Sequence, residues 1–186
     1  MESSLIKCLV LFGAVCGVYS FGSGAPIKAC VNMMPVHPNV SPQTSTSPYT
    51  IAVSSTTYKP SQQITVTISG GGNHQGLLVQ ARKSSVATPI GTFSTPSAQT
   101  KTTQCTATGD SWTHSSNTNK TTSTVIWTAP SNDMGDITFK ATVAQDYNTY
   151  WLNHQSQALT YMSGATSTQL GVGAVLAVVI SAFYLL

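Results

Sequence analysis

Histidine, serine and aspartate are the residue types in this chain that could act as a base, a nucleophile or a metal ligand. The four histidines are His37, His74, His114 and His154. Asp110 or Asp146 could join two of them in a metal site, but the chain has no CxxC or HxxxH pair of the zinc-binding kind. It also lacks the G-x-S-x-G turn of a nucleophilic serine. We therefore predict no catalytic residue, no metal site and no cofactor, and interpret the histidines as surface or turn residues bonded to loop backbone.

Basic and aromatic side chains could instead bind a ligand. Arg82 and Lys83 end a predicted strand and could attract the phosphates of lipopolysaccharide, although charge at a strand end also serves solubility alone. Aromatic rings either stack on sugars or fill a core. Tyr150 and Trp151 are neighbours, so in a strand they face opposite sides and at most one is free for a ligand. The predicted ligand contacts are Arg82, Lys83, Trp151 and Trp112.

Alternating apolar and polar residues predict the strands that would position these side chains. The pattern is clearest at 63–69, where Ile64, Val66 and Ile68 share one face and threonines share the other. Further strands are predicted at 76–82, 123–128, 136–145, 49–53 and 150–153. Seven or so short strands with one buried face predict an antiparallel β-sandwich, whose core includes Trp127 and Phe139.

A run of glycines separates the first two of these strands. Gly70, Gly71 and Gly72, with Gly76 beyond them, invite comparison with a phosphate-binding loop. The lysine and the helix that such a loop requires are absent. The run is therefore interpreted as a glycine-rich hairpin connection.

The composition excludes some classes of function. Only 7% of the residues are charged, with eight Lys and Arg against five Asp and Glu. Arg82 is the only arginine, and no lysine cluster could neutralise a row of phosphates, so nucleic acid is excluded as a partner. Strong helix formers are scarce, which disfavours a helical bundle.

The first 20 residues are typical of a secretory signal peptide. Lys7 precedes an apolar run from Cys8 to Val18 that is too short to span a bilayer. Val18 and Ser20 are the small residues of a cleavage site, and we predict the cut after Ser20. The protein is therefore expected outside the cell.

The last residues form a hydrophobic tail at 170–186 that carries no charge. Such a tail is typical of a signal that is replaced by a glycosylphosphatidylinositol (GPI) anchor, with Ser163 or Gly164 as the attachment residue and 163–169 as the spacer. A retained single membrane span or a buried terminal strand or helix are the alternatives. The predicted folded domain is 21–162, and the tail predicts a membrane as one partner.

The two cysteines of the predicted domain are expected to pair. Cys8 and Cys16 leave with the signal peptide, so in an oxidising compartment Cys30 and Cys105 have each other as partners. Asn39 and Asn119 begin acceptor triplets for glycosylation, and the second is the better candidate because Pro42 follows the first triplet. We predict that Asn119 lies on an exposed loop.

Short blocks of residues spread over 21–160 resemble the reeler (reelin N-terminal) domain. The blocks include Cys30, Met34 to His37, Tyr58 to Pro60, Gly76 to Arg82, Pro89 to Phe93, Cys105, Trp127 to Pro130 and Phe139 to Gln145. The resemblance implies an immunoglobulin-like antiparallel β-sandwich with Greek-key connections. Short secreted reeler proteins are similar to insect defence proteins that bind microbial surface components. Longer ones resemble ferric-chelate reductases with haem-binding and membrane domains, and we expect this chain not to inherit that activity.

The expected function is non-enzymatic recognition in innate immunity. The partner would be a microbial surface polysaccharide or lipopolysaccharide, bound outside the cell by a protein anchored at the outer face of the plasma membrane. The alternative is an adhesive or structural surface protein that binds a host protein.

Overall fold

The computed structural model describes residues 22–84 and 86–163. Within these ranges the chain forms eleven strands and one turn of 3-10 helix at Ile27–Ala29. The strands are β1 (Tyr49–Val53), β2 (Thr57–Tyr58), β3 (Gln63–Gly70), β4 (Gly76–Lys83), β5 (Thr92–Ser94), β6 (Thr100–Thr103), β7 (Ser111–His114), β8 (Ser123–Thr128), β9 (Ile137–Ala144), β10 (Tyr150–Gln155) and β11 (Thr160–Tyr161). The predicted signal peptide 1–20, the hydrophobic tail 170–186 and Gly164 lie outside the described residues.

Nine of these strands form two antiparallel sheets that share one core. The four-stranded sheet has the order β1-β3-β8-β5, and the five-stranded sheet has the order β10-β9-β4-β7-β6. Strands β2 and β11 form a separate parallel pair. The predicted all-β sandwich of two antiparallel sheets is confirmed, while its immunoglobulin-like type and its Greek-key connections stay predictions.

The six strands predicted from alternation are all present, with ends within two residues of the expected ones. The predicted number of about seven strands was too low. The missed strands β2, β5, β6, β7 and β11 have at most four residues each and are rich in serine and threonine. Too few residues are then available for an alternating pattern to be recognised.

The glycine run does not form the predicted hairpin. Strand β3 pairs with β1 and β8, whereas β4 pairs with β7 and β9, so the chain crosses from one sheet to the other here. Gly71 has a φ of +64°, and a Cβ atom at this position would lie 2.8 Å from the ring of Tyr49. Glycine is required because the turn passes so close to the sandwich edge.

The core between the sheets consists of the alternating residues of the long strands. Trp127, which is fully buried, packs edge to face against Phe139 with ring centroids 5.2 Å apart. Its Nε1 donates to the backbone oxygen of Ile90 at 2.9 Å. The predicted core positions Ile64, Val66, Ile68, Trp127 and Phe139 are confirmed. The alternating residues of the other predicted strands also lie in the core, namely Leu77, Val79, Ala81, Val125, Ala141 and Val143.

The five-stranded sheet is also covered on its other side. Residues 22–43, the N-terminal segment, cross the outer side of this sheet, with contacts to β7, β4 and β9 along its first part and to β10 near its end. The hydroxyl of Thr142 donates to the backbone oxygen of Met33 at 2.7 Å, and the amide of Ala25 donates to the hydroxyl of Thr113 at 2.9 Å. Strand β4 is therefore buried from Leu77 to Arg82 without interruption.

Candidate functional site

Arg82, a predicted ligand contact, is buried under the N-terminal segment. Its guanidinium donates to the backbone oxygens of Cys30 at 2.6 Å and Val31 at 3.1 Å, and also to Oε1 of Gln80. Only 5% of Arg82 is exposed, and burial lowers its pKa. The prediction that Arg82 contacts a ligand is wrong, because its hydrogen bonds hold the segment to the sheet.

A disulfide bond fixes the same segment from a second direction. Cys30 is joined to Cys105 with the Cα atoms 5.6 Å apart, which confirms the predicted pair. The carboxylate of Asp110 accepts hydrogen bonds from the amides of Cys105, Thr106 and Ala107 at 2.7 to 2.8 Å. Burial alone would raise the pKa of Asp110, but these bonds lower it overall. An ionised Asp110 therefore shapes the turn that carries Cys105.

Two other predicted contacts differ in their placement. Trp112 is fully buried in the core between the sheets, so the prediction that it contacts a ligand is also wrong. It lies on β7, an interior strand that β6 separates from the sheet edge. Lys83 is exposed at the end of β4, and its contact with a ligand stays a prediction.

Trp151 borders a shallow polar depression along β10, which we call the trough. The indole is half-buried, and its Nε1 donates to the hydroxyl of Ser45 at 3.2 Å. Its ring packs edge to face against Tyr49 with centroids 5.6 Å apart, so its orientation is fixed. Hydroxyl, amide and imidazole side chains surround it, and the lining consists of Gln43, Ser45, Thr46, Ser47, Leu152, Asn153, His154 and Gln155.

A second depression, which we call the groove, lies between the N-terminal segment and the outer face of the five-stranded sheet. Its volume is about 160 Å³. On the segment side it is lined by small or apolar residues that include Gly24, Ala29 and Met33, and on the sheet side by Gly76 and Leu78. Ala29, Met33 and Leu78 form a small apolar cluster of their own, separate from the core between the sheets.

The pairing of β4 with its neighbours gives the groove an apolar end and a polar end. Leu78 pairs with Thr142 in the interior, whereas Gly76 pairs with Ala144 at the end of the sheet. The polar residues that line the groove beside this end are His37, Gln75, His114, Asn117, Asp146 and Tyr147. Apolar atoms therefore form the floor and hydrogen-bonding groups form the mouth.

His37 stands at the mouth in an aromatic setting. Its ring stacks on Tyr147 with centroids 4.4 Å apart and meets the edge of Tyr150. Burial lowers the pKa of His37, an effect that a backbone hydrogen bond at Tyr147 opposes and that His114 reinforces. His37 therefore favours the neutral form more than an exposed histidine does. His114 accepts the amide hydrogen of Leu77 on its Nδ1 at 3.2 Å.

A serine and a histidine also meet inside the protein. Nε2 of His74 lies 2.9 Å from the hydroxyl of Ser123, a distance that suits a base and a nucleophile. Neither residue is exposed, so a substrate has no access to the pair. Burial lowers the pKa of His74 to about 4, and the charges of Lys120 and His114 act in the same direction. The prediction of a surface or turn histidine bonded to loop backbone is therefore wrong for the side chain of His74, which is buried against Ser123 of β8.

The remaining predicted sites lie at exposed positions. Asn39 and Asn119 are both exposed, the latter on the loop between β7 and β8. Ser163 is exposed, whereas Gly164 lies outside the described residues. Over residues 22–84 and 86–163, no three His, Cys, Asp or Glu side chains are grouped for a metal ion, and no helix has the length and apolar character to cross a bilayer.

The groove was missed by sequence reasoning. One sequence feature did indicate that β4 is buried on both faces. Leu77 and Leu78 are consecutive, whereas a strand with only one buried face would carry a polar residue at one of these two positions. The small residues Gly24, Ala25 and Ala29 gave no periodic pattern. Their role depends on the disulfide and on Arg82, which bring the N-terminal segment onto the sheet.

These features define a class: a sandwich of two antiparallel sheets whose outer face is covered by an N-terminal segment tied down by one disulfide. The reeler domain family model matches residues 28–167. The chain belongs to the reeler domain family.

Similar proteins fall into two groups by length. "Putative defense protein 3" of Antheraea mylitta is 34% identical over 147 residues, which cover 77% of this chain and 88% of that protein. "Ferric-chelate reductase 1" of Mus musculus is 35% identical over 159 residues, or 83% of this chain, but this chain spans only 26% of its length. The disulfide and the similarity to the defense proteins indicate an extracellular protein.

The fold has a solved counterpart. The human F-spondin reeler domain aligns with a TM-score of 0.54 at 19% identity, over 62% of this chain and 93% of that one. At this identity the likeness concerns the fold alone.

Proposed function

We propose that this protein is an extracellular, non-enzymatic recognition protein of innate immunity that binds microbial surface polysaccharide or the sugar part of lipopolysaccharide. The similarity to proteins named as defense proteins supports the setting. The observation that carries the ligand class is the trough, where the fixed and half-exposed indole of Trp151 is surrounded by amide and hydroxyl groups. Aromatic faces take the apolar side of a sugar ring, and such polar groups bond its hydroxyls.

Trp151 also offers a direct readout of binding. Trp112 and Trp127 are fully buried, so Trp151 is the tryptophan whose emission responds to a ligand at the surface. We expect soluble β-glucan, peptidoglycan fragments or lipopolysaccharide to change the fluorescence at physiological salt. Trp151→Ala should weaken binding roughly tenfold or more, since the loss of one stacked ring corresponds to about 1.4 kcal/mol.

Two matched variants separate stacking from other causes. Trp151→Phe keeps a ring but loses the bond to Ser45, and it should retain most of the binding. Tyr147→Ala removes an exposed ring at the groove and should leave sugar binding unchanged. Unchanged affinity in Trp151→Ala, or no binding of any of the three sugars to the unmodified protein, would exclude the trough as the site.

The second candidate function is adhesion to a host protein. It is favoured by Ile27 and Val31, which are 74% and 70% exposed. Ile27 begins the helical turn of the N-terminal segment, and Val31 lies two residues after its end. Exposed apolar side chains on a rigid support are typical of protein interfaces. Ile27→Ser with Val31→Ser should abolish binding to host cells if this candidate holds, and leave sugar binding intact.

We also propose that the protein is tethered to the membrane through its tail. The uncharged residues at 170–186 support this, with Ser163 or Gly164 as the point of attachment of a glycolipid. Mass spectrometry of the mature C-terminus tests the proposal. A peptide that ends at Ser163 or Gly164 and carries the anchor is the expected result. An unmodified peptide that includes residue 186 would contradict the glycolipid anchor, and release of that protein from cells into the medium would contradict tethering.

A further inference from the structure

Residues 44–48, which we call the hydroxyl segment, connect the N-terminal segment to β1. The first four of them, 44–47, all carry hydroxyl groups, Pro42 lies just before them and Pro48 directly follows. Proline fixes its own φ and holds the preceding residue in an extended conformation. Serine and threonine close to proline are typical of chains that receive O-linked glycans. The composition of the hydroxyl segment is therefore that of a glycan acceptor.

The two serines of the hydroxyl segment hold it against the protein. The hydroxyl of Ser45 accepts the indole hydrogen of Trp151 at 3.2 Å. The hydroxyl of Ser47 accepts the amide hydrogen of Tyr49 at 3.3 Å. Both serine oxygens therefore face protein groups, and a sugar attached to either would have to displace its donor.

The two threonines of the hydroxyl segment are placed differently. Thr44 and Thr46 are exposed, and neither hydroxyl takes part in a hydrogen bond within residues 22–84 and 86–163. Neither residue belongs to a strand. A glycosyltransferase has to enclose the hydroxyl together with the backbone on either side of it, and an exposed connection between strands permits this. Thr44 and Thr46 are therefore accessible acceptors.

Thr65 provides an internal comparison, because it is exposed as well. It lies in β3, which pairs with β1 on one side and with β8 on the other. Its neighbours Ile64 and Val66 are fully buried. The backbone at Thr65 is thus part of the sheet and cannot enter an enzyme cleft, so we expect this exposed threonine to stay unmodified.

We propose that Thr44 and Thr46 carry O-linked glycans that begin with an N-acetylhexosamine. The donor is a nucleotide sugar of the secretory pathway. The threonine oxygen forms a bond to the anomeric carbon of the sugar, and the bond between that carbon and the diphosphate breaks. The nucleoside diphosphate leaves, and the hydroxyl proton passes to solvent. The modification requires only passage through the secretory pathway, which the proposed function shares, and does not require sugar binding at the trough.

The two glycans differ in their position relative to the trough. Thr46 belongs to the lining of the trough, whereas Thr44 does not. A glycan on Thr46 therefore stands at the rim, next to the serine that holds Trp151, and it narrows the access of large polysaccharides.

The test uses the full chain, secreted from a eukaryotic host. N-linked glycans are first removed enzymatically, because Asn39 lies close to the hydroxyl segment. The glycopeptides are then fragmented by electron transfer, which keeps each sugar on its residue. We expect an N-acetylhexosamine on Thr44 and on Thr46, and none on Thr65.

Two results would overturn the proposal. The first is a secreted, disulfide-bonded protein in which Thr44 and Thr46 are unmodified, a result that leaves extracellular recognition in place. The second is a sugar on Ser45 or Ser47 in place of the threonines, or one that is equally frequent on Thr65.

Paired variants separate the two glycans. Thr44→Val and Thr46→Val each remove one exposed hydroxyl, and each should lower the mass of the intact secreted protein by one glycan. Thr65→Val, the control, should leave the glycan content unchanged.

Sugar binding reports the position of the second glycan. Thr46→Val should bind soluble β-glucan severalfold more tightly than the unmodified protein, and Thr44→Val should differ less from it. Equal affinity in all three proteins would overturn the placement of a glycan at the rim. A lack of binding in every form would instead count against the trough, while the mass spectra would still decide whether the threonines are modified.

Discussion

The two faces of strand β4 are buried by different means. On the inner face, Leu77, Val79 and Ala81 pack against the other sheet in an apolar core. On the outer face, Gln80 and Arg82 are equally buried, but under a covering segment and within a network of hydrogen bonds. Burial in this domain therefore has two sources, apolar contact between the sheets and polar attachment of the N-terminal segment.

The two kinds of burial have different consequences for function. Apolar contact is non-directional and becomes weaker wherever a gap is left, so it favours close packing of the core between the sheets, the inner layer. The covering segment and the outer face of the five-stranded sheet form the outer layer. Hydrogen bonds to Cys30 and Val31 set the distance between the segment and the sheet at only a few points. Space remains between those points, and this is where the groove lies. The polar attachment of the segment therefore leaves a depression at the surface of the outer layer.

The largest expected effect is in the inner layer. Trp127→Ala removes a fully buried indole together with its bond to the oxygen of Ile90, and should cost about 4 kcal/mol of the free energy of unfolding. Chemical denaturation monitored by circular dichroism measures this. Trp127→Phe, the control, keeps an aromatic ring and should cost less than half as much. If Trp127→Ala lost less unfolding free energy than Arg82→Met, the outer layer would stabilise the domain more than the inner layer, which would contradict this expectation.

The second effect concerns a polar pair at the end of the inner layer. His74 has a pKa of about 4 in the folded state, against 6.5 as its ordinary value. The folded state favours the neutral imidazole of His74. The contribution of His74 to the free energy of unfolding is therefore fully present above pH 6.5 and is lost as the pH falls through 4. The loss attributable to His74 at pH 4 should be about 3 kcal/mol.

The matched variant His74→Gln isolates this contribution from those of the other acidic and basic groups. The groups close to His74 are Ser123, Tyr49, Lys120 and His114. Unfolding curves of both proteins at pH 7 and pH 4 should show a markedly smaller loss for the variant. An equal loss of unfolding free energy in the two proteins would contradict this assignment. It would mean that His74 stays neutral at pH 4, or that the folded protein opens locally and exposes the protonated ring to water.

The smallest of the three effects is in the outer layer. Arg82→Met removes the hydrogen bonds to Cys30 and Val31 but also relieves the cost of burying a cation, which is visible in its lowered pKa. The expected net loss is about 2 kcal/mol of unfolding free energy. Arg82→Lys, which keeps the charge without the planar fork, should not restore the lost stability.

A second measurement on Arg82→Met tests whether Arg82 stabilises the N-terminal segment alone. Because the segment is attached through this residue, backbone amide exchange should quicken over residues 27–34 and stay unchanged in β3 and β8. Faster exchange spread evenly over both sheets would contradict a local role for Arg82.

The sequence predicted the inner layer well because its physics is local and periodic. Alternation in β3, β4, β8 and β9 placed the core residues on their correct face, and two cysteines left one pairing. Arg82 and Trp112 were misjudged for one reason. Whether a strand is interior, and whether its outer face is covered, depends on residues more than 25 positions away, such as Cys30 for Arg82 and Val79 of the neighbouring strand β4 for Trp112.

Periodicity and residue type are enough to predict which side of a strand is buried, so the amino-acid sequence alone predicted the class of fold, the disulfide and the apolar face of each long strand. The folded structure was needed to show that the N-terminal segment covers the second face of β4, that Arg82 holds this segment by hydrogen bonds and that a groove lies beneath Met33. Those outcomes depend on contacts between residues far apart in the chain, which carry no local pattern.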